Sequence, residues 1–205
     1  MTEYNDDDQR MIRLQAGDAT AFDDIVAAWQ GPLFGFFLRN TRNRTLSEDL
    51  VQETLLRLYR AAWDYLPTGQ FRGWLFRIAR NLIIDHTRKA SRDALVRRVR
   101  LKPESEEEGG GDLLSLLPGD LVSPIDQASQ SELASVVLEL LDELPEEQRE
   151  TFHLHHFNSL TLSEVADAME TTLPTAKSRL RLAKEKLRYQ LSCRGYSEET
   201  TSKIT

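Results

Sequence analysis

Apolar residues along the chain recur at intervals of three and four, and no stretch alternates apolar with polar as a half-buried strand would. The spacing predicts an all-α fold. Residues 19–43 read as one or two helices with Phe22, Ile25, Val26, Trp29, Leu33, Phe36 and Phe37 supplying core, and Gly31-Pro32 marks an expected break or bend. In the next helix Leu50, Val51, Thr54, Leu55, Leu58 and Ala62 share one face, and Thr45 with Glu48 fits a capping box at its start. The opposite face displays Asp49, Gln52, Glu53, Leu56 and Arg60. Acids around an apolar Leu56 suit a protein interface, and suit a solvated helix face as well. Phe71, Trp74, Leu75, Ile78, Ala79, Leu82 and Ile83 then form one apolar stripe, with Arg77, Arg80, Asn81, Ile84 and Arg88 on the other side. Trp74 fits core packing and ligand contact equally.

The pattern stops at 102–124, a stretch with a glutamate run, three adjacent glycines and several prolines, and resumes beyond it. Two helices are expected around a break at Leu144-Pro145, with Glu146 and Glu147 complementing the second helix's dipole. From Leu160 to Leu191 the pattern is helix, short turn, helix. Thr161 and Glu164 fit a capping box. Leu162, Val165, Ala166 and Met169 form the inner face of the short helix, and Thr172 can cap the long one. In the long helix Ala176, Leu180, Ala183, Leu187 and Leu191 lie near one face. Two small helical domains joined by a flexible acidic linker are therefore expected: 1–100, then a linker over 101–128, a second domain over 129–192 and a tail over 193–205.

Charge sharpens this picture. The 205 residues carry a formal net charge of −7, yet ten Lys/Arg face two Asp between Phe71 and Lys102, and seven face one Glu between Lys177 and Arg194. Two basic islands in an acidic chain suit polyanions. The basic ridge of 77–89, next to the turn-like loop that follows Tyr65, suits single-stranded nucleic acid: arginines neutralise phosphates while aromatics and Asn receive unstacked bases. Thr175, Lys177, Ser178, Arg179, Arg181 and Lys184 lie toward the start of the long helix, the end that a recognition helix presents to the major groove.

Other chemistry finds little support. The spacing of His153, His155 and His156 with Cys193 fits no standard zinc pattern, and no Gly-rich phosphate loop or nucleophile motif occurs. No cofactor and no catalysis are expected. No apolar run is long enough for a membrane span, and the acidic start "MTEYNDDDQR" does not read as a secretory signal. A single cysteine excludes an internal disulfide and fits a reducing cytoplasm.

Three segments in order carry a family resemblance: "EDLVQETLLRLY", "FRGWLFRIARNLIIDHTRK" and "LPEEQRETFHLHHFNSLTLSEVADAMETTLPTAKSRLRLAKEKL". They resemble regions 2.2, 2.3–2.4 and 4 of the extracytoplasmic-function (ECF) class of bacterial sigma factors. The resemblance implies a region 2 helical bundle and a region 4 helix-turn-helix. It implies that Asp49, Gln52, Glu53 and Leu56 bind the β′ clamp coiled coil of core RNA polymerase. It implies that Trp74, Arg77, Arg80, Asn81, Arg88 and Lys89 face the −10 promoter element as single-stranded DNA, with a flipped base held by the loop from Leu66 to Arg72. Thr175, Lys177, Ser178, Arg179, Arg181 and Lys184 would read the −35 duplex, with the β flap a further contact of region 4. An anti-sigma factor is a candidate partner, and the acidic linker would thread toward the polymerase active site.

The chain departs from the family pattern at three places. Glu170 stands where the turn often has Gly, Leu173-Pro174 precedes Thr175 in place of a Val-Gly, and Leu182 replaces a common basic residue. The promoter sequence cannot be copied from relatives. The alternative reading is a stand-alone helix-turn-helix regulator acting without polymerase.

Overall fold

The computed structural model describes residues 5–100 and 136–196. The described residues contain helices and no strand, in two units. The expected linker, the first residues of the second domain and the tail past Tyr196 lie outside the described residues.

The N-terminal unit contains α1 (Asp6–Gln15), α2 (Ala19–Thr41), α3 (Arg44–Ala61), a 3₁₀ turn (Ala62–Asp64) and α4 (Phe71–Arg100). Helix α1 starts at Asn5, whose side chain accepts from the Asp8 amide at 2.8 Å, and three aspartates occupy its first turn. Asp18 caps α2, accepting from the Thr20 amide at 3.0 Å and the Thr20 hydroxyl at 2.6 Å. The Thr20 hydroxyl, and then Arg13, hold this carboxyl down at about 2.

Helix α2 runs through Pro32 as one element, so the expected break is absent. A proline costs one backbone hydrogen bond and some strain. Against that, Trp29, Leu33, Phe36 and Phe37 on both sides of Pro32 bury against the same core. Helix α2 ends at Arg42, whose φ of 53° turns the chain sharply. Asn43 then caps α3, accepting from the Leu46 amide at 3.0 Å. The expected capping role of Thr45 is thus displaced: Thr45 lies inside the first turn of α3.

Met11, Ile25, Leu33, Phe36, Phe37, Leu58, Phe71, Leu75 and Phe76 are fully buried at the centre of the unit. The face of α3 expected inside, Leu50 through Ala62, is buried at every position named. On α4 the stripe is displaced. Phe71, Leu75, Ala79 and Leu82 are buried, but Trp74, Ile78 and Ile83 are half-buried. Phe76, unassigned by the sequence pattern, is wholly inside, with its ring 5.3 Å from Phe36 and 6.2 Å from Trp29.

The C-terminal unit contains α5 (described from 136 to 142), α6 (Glu146–Phe152), a π turn (His153–Phe157), α7 (Leu162–Ala168) and α8 (Leu173–Cys193). Val137, Leu140, Leu141, Leu144 and Phe152 pack with Leu180, Ala183, Leu187 and Leu191 of α8. The Thr161–Glu164 box forms in both directions, at 2.8 Å from the Thr161 amide to Glu164 and 3.3 Å from the Glu164 amide to Thr161. Thr172 accepts from the Thr175 amide at 3.3 Å and starts α8. Between α7 and α8, Glu170 sits at φ 51°, a conformation that glycine adopts without the Cβ penalty.

Candidate nucleic-acid interface and partner face

The outer face of α3 is prepared by its inner one. Burying Leu50, Val51, Leu55 and Leu58 fixes the rotation of the helix, and Thr54 buries its hydroxyl by donating to the Leu50 carbonyl at 2.7 Å. That rotation leaves Asp49 and Gln52 exposed, Glu53 half-buried and Leu56 45% exposed. The four residues expected at a partner face thus share one surface. The surface continues through two residues outside the expected set: Tyr59 and Trp63 are 51% and 69% exposed. Their spacing of three and seven from Leu56 was the available signal. Exposed large aromatics in series are unusual away from interaction surfaces.

Glu53 accepts from Arg57 Nε at 2.8 Å, and Arg57 in turn lies 4.0 Å from Asp85 on α4. This chain of charges joins the outer face of α3 to the polar side of α4. There Arg77, Arg80 and Asn81 are half-buried and Arg88 and Lys89 are exposed. Asp85, Thr87, Arg88, Lys89 and Arg92 line a shallow open depression. The expected −10 residues therefore lie along one helix, from its first turn at Trp74 to Lys89.

The loop before α4 is built by residues far away in sequence. Tyr65, buried, donates its hydroxyl to Asp8, and the Gly69 amide donates to the same carboxylate at 2.7 Å. Burial, and then Asp8, push the Tyr65 phenol above its ordinary pKa, so it stays a donor. Gln15 donates to the Ala62 and Tyr65 carbonyls at 2.7 and 2.8 Å. Asp7 accepts from Trp29 Nε1 at 3.0 Å, and Arg72 lies 5.5 Å over the Trp29 ring. Trp74 stacks obliquely on Tyr65 with ring centres 4.9 Å apart, and 6.1 Å from Phe71. Leu66, at the loop's crest, is 73% exposed. The result is an aromatic floor, a fixed loop and a basic ridge in sequence, the parts that an unstacked base and its phosphates require.

On α8 the inward stripe fixes what faces out. Lys177, Ser178 and Arg181 are exposed, and Thr175, Arg179 and Lys184 are half-buried. Thr175 shares a 2.8 Å hydroxyl contact with Thr172, Arg181 donates to Glu185 at 2.6 Å, and Arg179 pairs with Glu147 of α6. Burial, and then Arg188, lower the Lys184 pKa. Leu173 and Leu182 add 39% and 40% exposed apolar surface.

The three nearby histidines lie in the π turn and make contacts within the C-terminal unit. His153 is buried, His155 Nδ1 lies 2.7 Å from the Leu160 carbonyl, and His156 stacks on Phe152 at 4.3 Å. Among the described residues no helix is long and apolar enough to cross a membrane.

Residues 25–93 match the family model for Sigma-70 region 2, and residues 135–187 that for Sigma-70, region 4. The ECF RNA polymerase sigma factor SigW of Bacillus subtilis is 30% identical over 183 residues, spanning 89% of this chain and 95% of that protein. Two solved structures share the fold. CnrH, in complex with the cytosolic domain of CnrY, aligns with a TM-score of 0.62 at 23% identity, over 91% of this chain and 97% of CnrH. RpoE of Bartonella quintana, in complex with the anti-sigma factor NepR, aligns with a TM-score of 0.60 at 21% identity, over 83% and 96% of the two chains.

Proposed function

The chain belongs to the ECF RNA polymerase sigma factors, and from that premise we propose how its surfaces divide the work of promoter recognition. The protein directs core RNA polymerase to promoters through regions 2 and 4. The observation that carries the assignment of sites is the segregation of surfaces on the N-terminal unit. One face of α3 is acidic and apolar at Asp49, Gln52, Glu53 and Leu56, and the polar side of α4 is basic at Arg77, Arg80, Arg88 and Lys89.

The α3 face docks on core polymerase, at the β′ clamp coiled coil. Leu56 supplies the central apolar contact, and Asp49, Gln52 and Glu53 the polar rim. The ridge of α4 holds the −10 element as a single strand, with Asn81 and Trp74 at bases and the arginines with Lys89 at phosphates. The N-terminal half of α8 enters the major groove at −35, where Lys177, Arg179 and Arg181 reach guanine edges or phosphates and Thr175, Ser178 and Lys184 complete the contact. Region 1–100 is the polymerase and −10 module, and 129–192 the −35 module with a further contact to the β flap. The protein acts without catalysis of its own: contacts to the opened strand offset the cost of unstacking and flipping bases. It works in the cytoplasm, where its polymerase and DNA are. An anti-sigma factor is a further partner, and the exposed Leu56, Tyr59 and Trp63 offer it apolar surface.

The test is a pair of binding measurements on holoenzyme carrying the full chain. Asn81→Ala is expected to weaken a single-stranded −10 oligonucleotide by about tenfold and leave a −35 duplex unchanged; Lys177→Ala with Arg181→Ala is expected to do the reverse. Equal loss on both ligands from either variant would contradict the division of labour.

A further inference from the structure

We propose that Asp8 is a positioning residue for promoter recognition: it locks the loop from Leu66 to Gln70 in one shape and so sets which unstacked base that loop accepts. The inference rests on the −10 reading of this loop and goes beyond it, because Asp8 lies on α1, outside every motif that carries the reading.

Three observations converge. First, Asp8 is only 1% exposed and spends both carboxylate oxygens on the loop, one on the Tyr65 hydroxyl and one on the Gly69 amide. Charge-assisted bonds of this kind are short and directional. Second, other side chains of α1 grip the two ends of the loop. Gln15 bonds the Ala62 and Tyr65 carbonyls, and Asp7 lies 3.8 Å from Arg72 at the loop's far end. Third, the loop does little for the core. Leu66, Thr68 and Gly69 are exposed, while α1 is seated independently by buried Met11 and Leu14. The Gly69 bond reaches the exposed part of the loop, while the others hold its buried base at Ala62 and Tyr65 and its far end at Arg72, so the loop leaves the fold from a fixed platform.

That shape depends on Gly69. Its φ of 77° is strained for any side-chain-bearing residue, and it turns the amide onto Asp8. A pocket distinguishes bases only if its walls and hydrogen-bonding groups stay within a fraction of an ångström. Without Asp8 the loop keeps its length, its exposed residues and the Gln15 bond at the Tyr65 carbonyl, but loses the carboxylate that ties the Gly69 amide to the Tyr65 hydroxyl. It then accommodates several bases with similar affinity.

The experiment uses holoenzyme assembled from core RNA polymerase and the full chain. Single-stranded −10 oligonucleotides carry each of the four bases in turn at every position, and the readout is the affinity ratio of best to next-best base. Asp8→Asn is expected to lower that ratio about tenfold at one position, with core affinity within about twofold of wild type. Tyr65→Phe, which removes one of the two bonds and retains the ring against Phe71 and Trp74, is expected to lower it about threefold at the same position. It also serves if Asp8→Asn does not fold. Unchanged ratios, or an equal loss of affinity for every oligonucleotide, would overturn the positioning role and leave Asp8 a stabilising residue. Trp74→Ala separates this from the parent reading. If wild type and Trp74→Ala bind all oligonucleotides alike, the −10 assignment itself fails. If Trp74→Ala loses binding while the Asp8 and Tyr65 variants keep wild-type ratios, only the positioning role fails.

Discussion

Arg179, in the second turn of α8, donates to Glu147 in the first turn of α6, with 20% of the arginine side chain and 65% of the glutamate side chain exposed. One of the residues expected to read −35 DNA is therefore already paired within the protein. The pair is open to solvent on the glutamate side, so it contributes at most about 1 kcal/mol and DNA can displace it. Glu147→Gln is expected to tighten −35 duplex binding by about two- to fivefold, measured by fluorescence anisotropy at fixed salt. Weaker binding would mean that Glu147 aims Arg179 at the groove and does not compete with DNA for it.

Neighbouring leucines on α3 should fail in opposite ways. Leu56 is 45% exposed and Leu55 is 7% exposed. Leu56→Asp is expected to weaken core polymerase binding by at least about tenfold while changing stability by no more than about 0.5 kcal/mol. Leu55→Ala should cost about 2–5 kcal/mol by opening a cavity. Chemical denaturation beside a core-binding titration separates the two.

The start of α3 offers a direct comparison of two caps. Asn43 makes the capping bond and Thr45 does not. Asn43→Ala is expected to destabilise the N-terminal unit by about 0.5–2 kcal/mol, and Thr45→Ala to be close to neutral. The opposite order in urea melts would restore the Thr45–Glu48 box.

His156 makes the C-terminal unit sensitive to acid. Burial, and then Lys184 and His155, lower its pKa from 6.5 to about 4. In the unfolded chain the ring regains its ordinary pKa, so between these two values the unfolded state binds more protons. Stability therefore rises with pH across that window and is lost as pH falls through it. Thermal melts from pH 7 to pH 4.5 should show the midpoint falling by several degrees. His156→Phe, stacking on Phe152 in the same place, should flatten that dependence. An equal slope in the variant would assign it to other groups.

Much of this was legible from local pattern, because local pattern dictates it. The stripe from Ala176 to Leu191 is buried at every position, and the Thr161–Glu164 box lies within one helical turn. What escaped depends on distant partners. Phe76 lies outside the main apolar series of α4 and is buried through Trp29 and Phe36 on α2. Asn43 outcompetes Thr45 because α2 ends at Arg42 in a left-handed turn, which decides where α3 begins. Asp7 and Asp8 look like a solvated acidic start, but beyond the local Asp7–Arg10 pair they bond residues 22 and 57 positions away. For the sites, residue type and helical phase marked the α3, α4 and α8 faces. The anchoring of the loop before α4 by α1 left no local periodicity to read.

Promoter recognition by core polymerase should depend on this chain. Its most direct test is run-off transcription by purified core RNA polymerase on DNA from upstream of the chain's own gene, with and without the protein. Transcripts are expected from one defined start only when the chain is present, lost with Leu56→Asp and reduced with Asn81→Ala. A chain that leaves core polymerase unbound and grips duplex DNA by itself would contradict it.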